Sequence, residues 1–146
     1  MFAEPVRELA GLHGQKRQWR NKILKPDQKL TGSLGGQLAH IRADLKFDGA
    51  SETAFVVRGI PITYNVEKEE LSCQKNKAPL KPVDGQIRLE ILVDRTSIEI
   101  FGNHGRMYMP VGVILVDNPT SFEISAKGGN AEIESLDVIR LRSAWR

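Results

Sequence analysis

Hydrophobic and polar residues alternate with a period of two along most of the chain, the pattern of β-strands with one buried and one solvated face. The clearest run is 39–47, where apolar residues at odd positions alternate with polar residues at even positions. A second run, 86–94, places Ile87, Leu89, Ile91 and Val93 on one face, with Arg88 and Glu90 on the other. The pattern predicts strands at 39–47, 53–58, 60–66, 69–74, 86–94, 96–101, 106–109, 111–116, 121–127 and 131–142.

Turn-forming residues separate these strands. Gly, Asn, Asp and Ser cluster at 48–51, 102–105 and 128–130, and the Pro- and Gly-containing segment 75–85 is predicted to be a loop. Pro61 argues for an edge position or a bulge, because proline cannot donate a hydrogen bond to a sheet. The glycine-containing segment 32–36 is predicted to open a strand.

Roughly ten short strands separated by turns indicate an all-β fold, a two-sheet antiparallel β-sandwich of the jelly-roll or concanavalin-like type. Near the N-terminus, Pro5 followed by apolar residues at helical spacing and then Gly11 predicts a short helix or turn. We therefore expect a linker or connecting segment at 1–14 and a single sandwich domain at 15–146.

Composition and charge narrow the class of protein. The 146 residues are 40% hydrophobic and 27% charged, which suits one globular domain. No apolar run approaches the roughly 20 residues of a membrane span, so no membrane partner is predicted. The N-terminus lacks the features of a signal peptide, which predicts that the chain as written stays in the cytoplasm; for a piece of a longer protein, the location of the parent is open.

The net charge of +3 is a mild excess, and many basic residues stand beside acidic ones. The densest basic stretch is 15–22, which surrounds Trp19. Such a stretch could bind phosphates or a single nucleic-acid strand. The favoured interpretation is a solvated edge strand that Trp19 anchors to the core, so nucleic acid is not a predicted partner.

The sequence contains none of the common catalytic or cofactor-binding patterns. Cys73 is the only cysteine, which excludes an intrachain disulfide and a cysteine-based metal site, and it is predicted to be a small core residue. Phosphate-binding loops, Gly-x-Ser-x-Gly elbows and His-Glu-x-x-His helices are absent, so no cofactor and no metal are predicted. Among the carboxylates, Asp94 and Glu99 are the candidates for a catalytic pair, but Asp94 is better interpreted as a turn residue that hydrogen-bonds to backbone.

Flat aromatic rings offer another kind of site, because the apolar face of a sugar stacks on them. Trp19, Tyr64 and Tyr108 are the candidate carbohydrate-binding residues, with core packing as the alternative for each. Trp145, which follows the last strand, is predicted to anchor the C-terminal end of the chain.

The segment 87–103, IRLEILVDRTSIEIFGN, resembles the C-terminal domain of family-32 glycoside hydrolases, the group of invertases, levanases, inulinases and sucrose-6-phosphate hydrolases. In that family the run reads apolar-x-apolar-Val-Asp-Arg-Ser/Thr-Ser-x-Glu-apolar-Phe-x-Asn-x-Gly. The segments 5–9, 55–64 and 136–145 resemble the family's connecting segment, early hairpin and closing strand. His104 departs from the family pattern, in which many members carry Asp.

The resemblance implies a catalytic five-bladed β-propeller on the N-terminal side of this domain. The propeller's motifs are Trp-Met-Asn-Asp-Pro-Asn-Gly, Arg-Asp-Pro and Glu-Cys, and none of them occurs in this sequence. The chain is therefore expected to have no catalytic residue, to be no enzyme by itself, and to pack on the propeller of a parent glycosidase.

Two alternatives remain open at this point. The chain could be a carbohydrate-binding module for fructan, with the aromatic residues named above as its site. It could also be a protein-interaction domain that uses the apolar face left by the missing propeller, which predicts self-association of the isolated chain.

Overall fold

A computed structural model describes residues 13–26, 28–34, 38–112 and 121–141. Within these ranges the chain forms strands and turns without a helix. In chain order the strands are β1 (His13–Leu24), β2 (Lys29–Ser33), β3 (Ala39–Asp48), β4 (Glu52–Val57), β5 (Ile60–Asn65), β6 (Glu70–Cys73), β7 (Asn76–Pro79), β8 (Gln86–Val93), β9 (Ser97–Gly102), β10 (Met107–Gly112), β11 (Ser121–Lys127) and β12 (Asn130–Leu141). The helix or turn predicted at 5–11 and the anchoring role of Trp145 lie outside the described residues.

The strands form two six-stranded sheets in which every strand pair is antiparallel. Sheet I has the order β1-β12-β3-β8-β9-β10, and sheet II has the order β2-β11-β4-β5-β6-β7. Two such sheets, each with one apolar face, bury those faces against each other. The two-sheet antiparallel sandwich predicted from the alternation is confirmed.

The core between the sheets is built by the residues that the alternation predicted to face inward. Strand β8 alternates strictly between buried and half-buried positions, and Ile87 and Ile91 are 0% exposed. Sheet II contributes Phe55, Ile62 and Leu71, all buried, to the same core cluster. The prediction that Cys73 is a core residue is confirmed, because its side chain is 1% exposed and its pKa is raised by burial.

Two of the tight turns contain successive residues at a positive φ. Arg58 (φ 49°) and Gly59 (φ 81°) connect β4 to β5, and two successive left-handed residues match the twist of a hairpin. Asn103, His104 and Gly105, with φ of 48°, 58° and 83°, connect β9 to β10. The prediction of turn chemistry at 102–105 is therefore confirmed for three of these four positions.

Three local predictions need correction. The segment 75–85 is not a continuous loop, because β7 pairs with β6 along Asn76–Pro79. Residues 32–33 end a strand rather than open one, since β2 runs from Lys29 to Ser33, and positions 35–36 of the segment lie outside the described residues. Pro61 belongs to β5, which is an interior strand, but it stands at the second position of that strand and the pairing with β6 begins only at Ile62, so no ladder partner is lost.

Candidate functional site

The face of sheet I that points away from the core, called here the outer face of sheet I, carries two clusters of paired polar side chains. Register places the outward-facing residues side by side: Arg88 lies opposite Asp44, and Glu90 lies opposite Arg42. Arg42 in turn lies opposite Asp137 on β12. Neighbouring strands thus bring opposite charges together across β12, β3 and β8.

Asp137 is the centre of one charge cluster on this face. Its carboxylate lies 3.7 Å from the Lys16 ammonium, 3.0 Å from the Arg20 guanidinium and 3.4 Å from the Arg42 guanidinium. The basic stretch 15–22 was predicted to be a solvated edge strand. It lies in β1, an edge strand of sheet I, and its Lys16 and Arg20 side chains pair with Asp137 of β12. The Lys16 and Arg20 side chains are therefore engaged within the sheet.

A second cluster is centred on Glu90. His40 Nε2 lies 3.2 Å from Glu90 Oε2, and the His40 side chain is only 6% exposed. The hydrogen bond with His40, and then the charges of His40, Arg88 and Arg42, lower the pKa of the Glu90 carboxyl, against the opposing effect of burial. This cluster fixes the polar outer surface of β3 and β8.

The three aromatic residues predicted to bind sugar lie in three different environments. Trp19 is partly buried and packs edge-on against Phe122 of sheet II, with ring centroids 5.6 Å apart. Tyr64 is 1% exposed and belongs to the core, where its ring stacks on Phe47. Tyr108 lies on the outer face of sheet I and is 44% exposed. The structure does not bring them together, and Tyr108 alone presents a largely exposed ring.

Tyr108 is held in place on the edge strand β10. Its hydroxyl donates a 2.7 Å hydrogen bond to Glu99 Oε1, and its ring is tilted against Phe101 at a centroid distance of 5.0 Å. The bond to Glu99 raises the pKa of the Tyr108 hydroxyl. Glu99 is thereby engaged as a hydrogen-bond acceptor.

Asp94 has the turn role predicted from the sequence. Its Oδ1 accepts a 2.6 Å hydrogen bond from the Arg95 backbone N–H, and its own N–H donates to Ser97 O at 2.9 Å. These contacts shape the β8–β9 turn.

A polar cleft of about 360 Å³ opens at the end of the outer face of sheet I where β8 begins. Its lining includes Asp44, Gln86, Arg88, Asn103, Arg106 and Glu134. Four separate parts of the chain supply these residues: β3, the start of β8, the β9–β10 turn and β12. The sequence analysis did not identify this cleft, because its residues are adjacent only after the strands have paired.

Metal-binding groups are not gathered in the part of the chain that the structure describes, where no three His, Cys, Asp or Glu side chains form a possible metal site. Over the same residues, no helix is long and apolar enough to cross a membrane.

Comparison with known structures first defines the class as a β-sandwich. The galectin LEC-6 from Caenorhabditis elegans superposes with a TM-score of 0.60 over 83% of this chain and 94% of its own, at 15% identity. The exo-inulinase from Aspergillus awamori superposes with a TM-score of 0.83 over 99% of this chain and 33% of its own, at 18% identity. Both likenesses concern the fold.

Sequence comparison then shows the family. The family model described as "Glycosyl hydrolases family 32 C terminal" matches residues 8–140, so the chain belongs to this family of C-terminal domains. The levanase of Bacillus subtilis (strain 168) is 30% identical over 166 aligned positions, which cover 97% of this chain and 24% of the levanase. The resemblance drawn from 87–103 is confirmed. The chain spans about a quarter of that relative's length.

Proposed function

We propose that this chain is the non-catalytic C-terminal sandwich of an enzyme that hydrolyses fructan or sucrose, and that it packs on a catalytic β-propeller. The family match over 8–140 carries this proposal. Support comes from the levanase relative, of which this chain spans only 24%, leaving most of that enzyme for other functions. The absence of the propeller motifs from the sequence and the structural engagement of Asp94 and Glu99 agree with a domain that does no chemistry.

Incubation of the purified chain with sucrose, levan and inulin tests the non-catalytic part of the proposal. No fructose release above a buffer blank is expected, because the three motifs that carry the catalytic carboxylates of the family do not occur in this sequence. Fructose release that co-elutes with the chain through two chromatography steps would contradict the proposal.

Docking onto a catalytic region is tested separately. The part of the Bacillus subtilis levanase that precedes its own C-terminal sandwich would be produced alone and mixed with this chain, and complex formation followed by gel filtration. A complex that raises the melting temperature of the catalytic part is expected, because a partner that binds only the folded state stabilises it. Galectin LEC-6 is the matched control, since it has the same general fold without the family relationship.

A second candidate is a fructan-binding module, and the observation that favours it is the braced, exposed ring of Tyr108. Electrophoresis of the chain through gels containing levan or inulin tests it. Retardation that Tyr108→Ala abolishes would support this candidate. Trp19→Ala and Tyr64→Ala are comparison variants, since both of those rings are packed against the core, and the sugar-binding role of all three residues stays a prediction until that experiment.

A further inference from the structure

We propose that the polar cleft at the start of β8 binds the terminal residue of a neutral saccharide chain of the fructan type. The inference rests on the fructan-binding candidate, but it assigns the binding to a site that contains none of the aromatic residues predicted from the sequence. Four features of the cleft support it: its rigidity, its unused hydrogen-bonding atoms, its balance of charges and its size.

The wall of the cleft is held rigidly by Asn103. The Asn103 side chain accepts a 2.9 Å hydrogen bond from the Arg88 backbone N–H and donates a 2.7 Å bond to Lys81 O. The Asn103 backbone N–H also donates to Arg88 O at 2.8 Å. Asn103 is 6% exposed, so these bonds are shielded from water. These bonds fix the β9–β10 turn, the segment before β8 and β8 itself to one another. Little free energy is therefore needed to order them when a ligand binds.

Polar atoms at the cleft have hydrogen-bonding capacity that the described protein does not use. Gln86 Oε1 is buried and accepts no hydrogen bond from the described residues. Arg88 Nε has no hydrogen-bond partner there either, but it lies 3.7 Å from Glu90 Oε1, and Arg88 Nη1 lies 3.9 Å from Asp44 Oδ2, so both nitrogens form ion pairs that are longer than hydrogen bonds. Buried polar groups in native proteins normally have partners, so the unused Gln86 oxygen, beside Arg88 N–H groups that make no hydrogen bond to their carboxylate partners, points to a hydrogen-bonding occupant of the cleft.

Other acceptors at the cleft are already oriented. Ser135 Oγ donates a 2.8 Å hydrogen bond to Asp44 Oδ2, which fixes the orientation of a carboxylate that lines the cleft. Glu134 projects from β12 at the break in register between Ile133 and Ser135, and Lys46 Nζ lies 2.9 Å from its Oε1. Each carboxylate keeps further lone pairs that can accept hydrogen bonds from ligand hydroxyls.

The charges of the lining favour a neutral ligand. Asp44, Asp84 and Glu134 supply three carboxylates, and Arg88 and Arg106 supply two guanidinium groups. An anion would be repelled by the carboxylates and a cation by the guanidinium groups. Hydroxyl groups both donate and accept, so a saccharide can bond to groups of either kind.

The dimensions suit the end of a chain. The volume of about 360 Å³ lies near the lower end of the range for small-molecule sites, which is roughly 300–1,000 Å³. A second depression of about 480 Å³ shares Val83, Asn103 and Arg106 with the cleft. Its lining is richer in apolar residues, including Pro79, Pro82 and Met107. A terminal sugar in the polar cleft therefore leaves room for the following residues along this depression.

Affinity electrophoresis in levan and inulin gels, with cleft variants, tests the inference. Gln86→Leu keeps the size of the side chain but removes the amide, and Glu134→Gln removes the charge. Each is expected to weaken binding about tenfold or more, the loss that follows from one hydrogen bond to a charged or buried group. Glu123→Gln is the matched control, because Glu123 also pairs with a lysine, Lys29, but lies on sheet II.

The outcomes separate the inference from the function on which it rests. Retardation of the parent chain that the cleft variants lose and the control keeps would support it, provided that urea unfolding shows Gln86→Leu to be as stable as the parent. Retardation that persists in both cleft variants would overturn the cleft and leave fructan binding standing, with Tyr108→Ala as the next test. Unchanged mobility of the parent chain in both gels would overturn both. Competition by inorganic phosphate would overturn the assignment to a neutral saccharide.

Discussion

Tyr64 and Tyr108 carry the same hydroxyl group in opposite surroundings, and replacing each by phenylalanine measures what burial contributes. The Tyr64 hydroxyl donates a 2.7 Å hydrogen bond to Leu80 O, and both residues are buried, at 1% and 3% exposure. The Tyr108 hydroxyl donates at the same distance to Glu99, but its side chain is 44% exposed. The two substitutions therefore remove hydrogen bonds of equal length from a buried site and from a solvent-exposed site.

The expected losses differ because of what is left behind. In Tyr64→Phe the Leu80 carbonyl stays buried without this partner, which costs about 1–3 kcal/mol. The ring contact with Phe47 is retained, so packing adds little to the difference. In Tyr108→Phe, water can replace the hydroxyl at Glu99, and a change within about 0.5 kcal/mol is expected. For a domain of this size, 2 kcal/mol corresponds to a drop in melting temperature of about 4–8 °C.

Urea unfolding followed by tryptophan fluorescence, together with calorimetry, measures both variants. The slope of the free energy against urea concentration should match that of the parent chain, because neither variant changes the surface exposed on unfolding. Equal stability losses in the two variants would refute the reasoning, since they would mean that the Tyr64–Leu80 bond is as accessible to water as the Tyr108–Glu99 bond.

Three further predictions concern pH and backbone packing. Burial raises the pKa of Tyr64 to about 12 from an ordinary value of 10.0. The stabilisation from the neutral hydroxyl is therefore complete below pH 10 and is lost as the pH rises through 12. The free energy of unfolding should fall less steeply with alkaline pH in Tyr64→Phe than in the parent chain. The pKa of Glu90 is lowered below its ordinary 4.5, so its contribution is present above that pH and is lost as the pH falls through the lowered value. The stability difference between the parent chain and Glu90→Gln, measured in urea from pH 7 to pH 3, should shrink in acid. Gly129→Ala should destabilise the fold by about 1–3 kcal/mol in the same assay, because a Cβ at this position would overlap the backbone carbonyl of Gly49; an unchanged midpoint would contradict that contact.

The sandwich could be predicted from the sequence because alternation reports which face of a strand is buried. Strand β11, predicted at 121–127, has the same bounds in the structure, and β3 and β8 differ from their predictions by one residue at one end. In these strands alternate side chains point into the core, so the burial pattern of the structure matches the apolar–polar alternation of the sequence.

The missed strands lack that pattern for physical reasons. Strand β7 is a short edge strand of Asn76, Lys77, Ala78 and Pro79, and its pairing with β6 rather than side-chain burial makes it a strand. Strand β2 is also an edge strand, and it includes Gly32, where an added Cβ would come within 2.6 Å of the Phe122 ring. Gly32, which was predicted to open a strand, lies inside one, and it is required there by the close approach of an aromatic side chain.

The location of Tyr64 in the core could have been foreseen, whereas the cleft could not. Tyr64 is two positions after Ile62 and therefore shares its inward-facing side of β5, and Ile62 is 1% exposed. Gln86 and Glu134, in contrast, are 48 positions apart and come together only because β3 lies between β8 and β12. No local pattern carries information about such a cluster.

The signature at 87–103 explains why the family was clear from the sequence while a ligand was not. Most of its residues have tasks in folding: Ile91, Val93 and Ile98 fill the core, Asp94 shapes a turn, and Asn103 binds the backbone of neighbouring segments. Of the candidate ligand-binding groups of the cleft, Gln86, Asp44 and Glu134 lie outside the signature, whereas Arg88 lies within it. A sequence can therefore keep the whole signature, and with it the sandwich, while the cleft changes. If the cleft binds saccharide, differences in binding between members of this family should follow the residues at these outside positions rather than the signature itself.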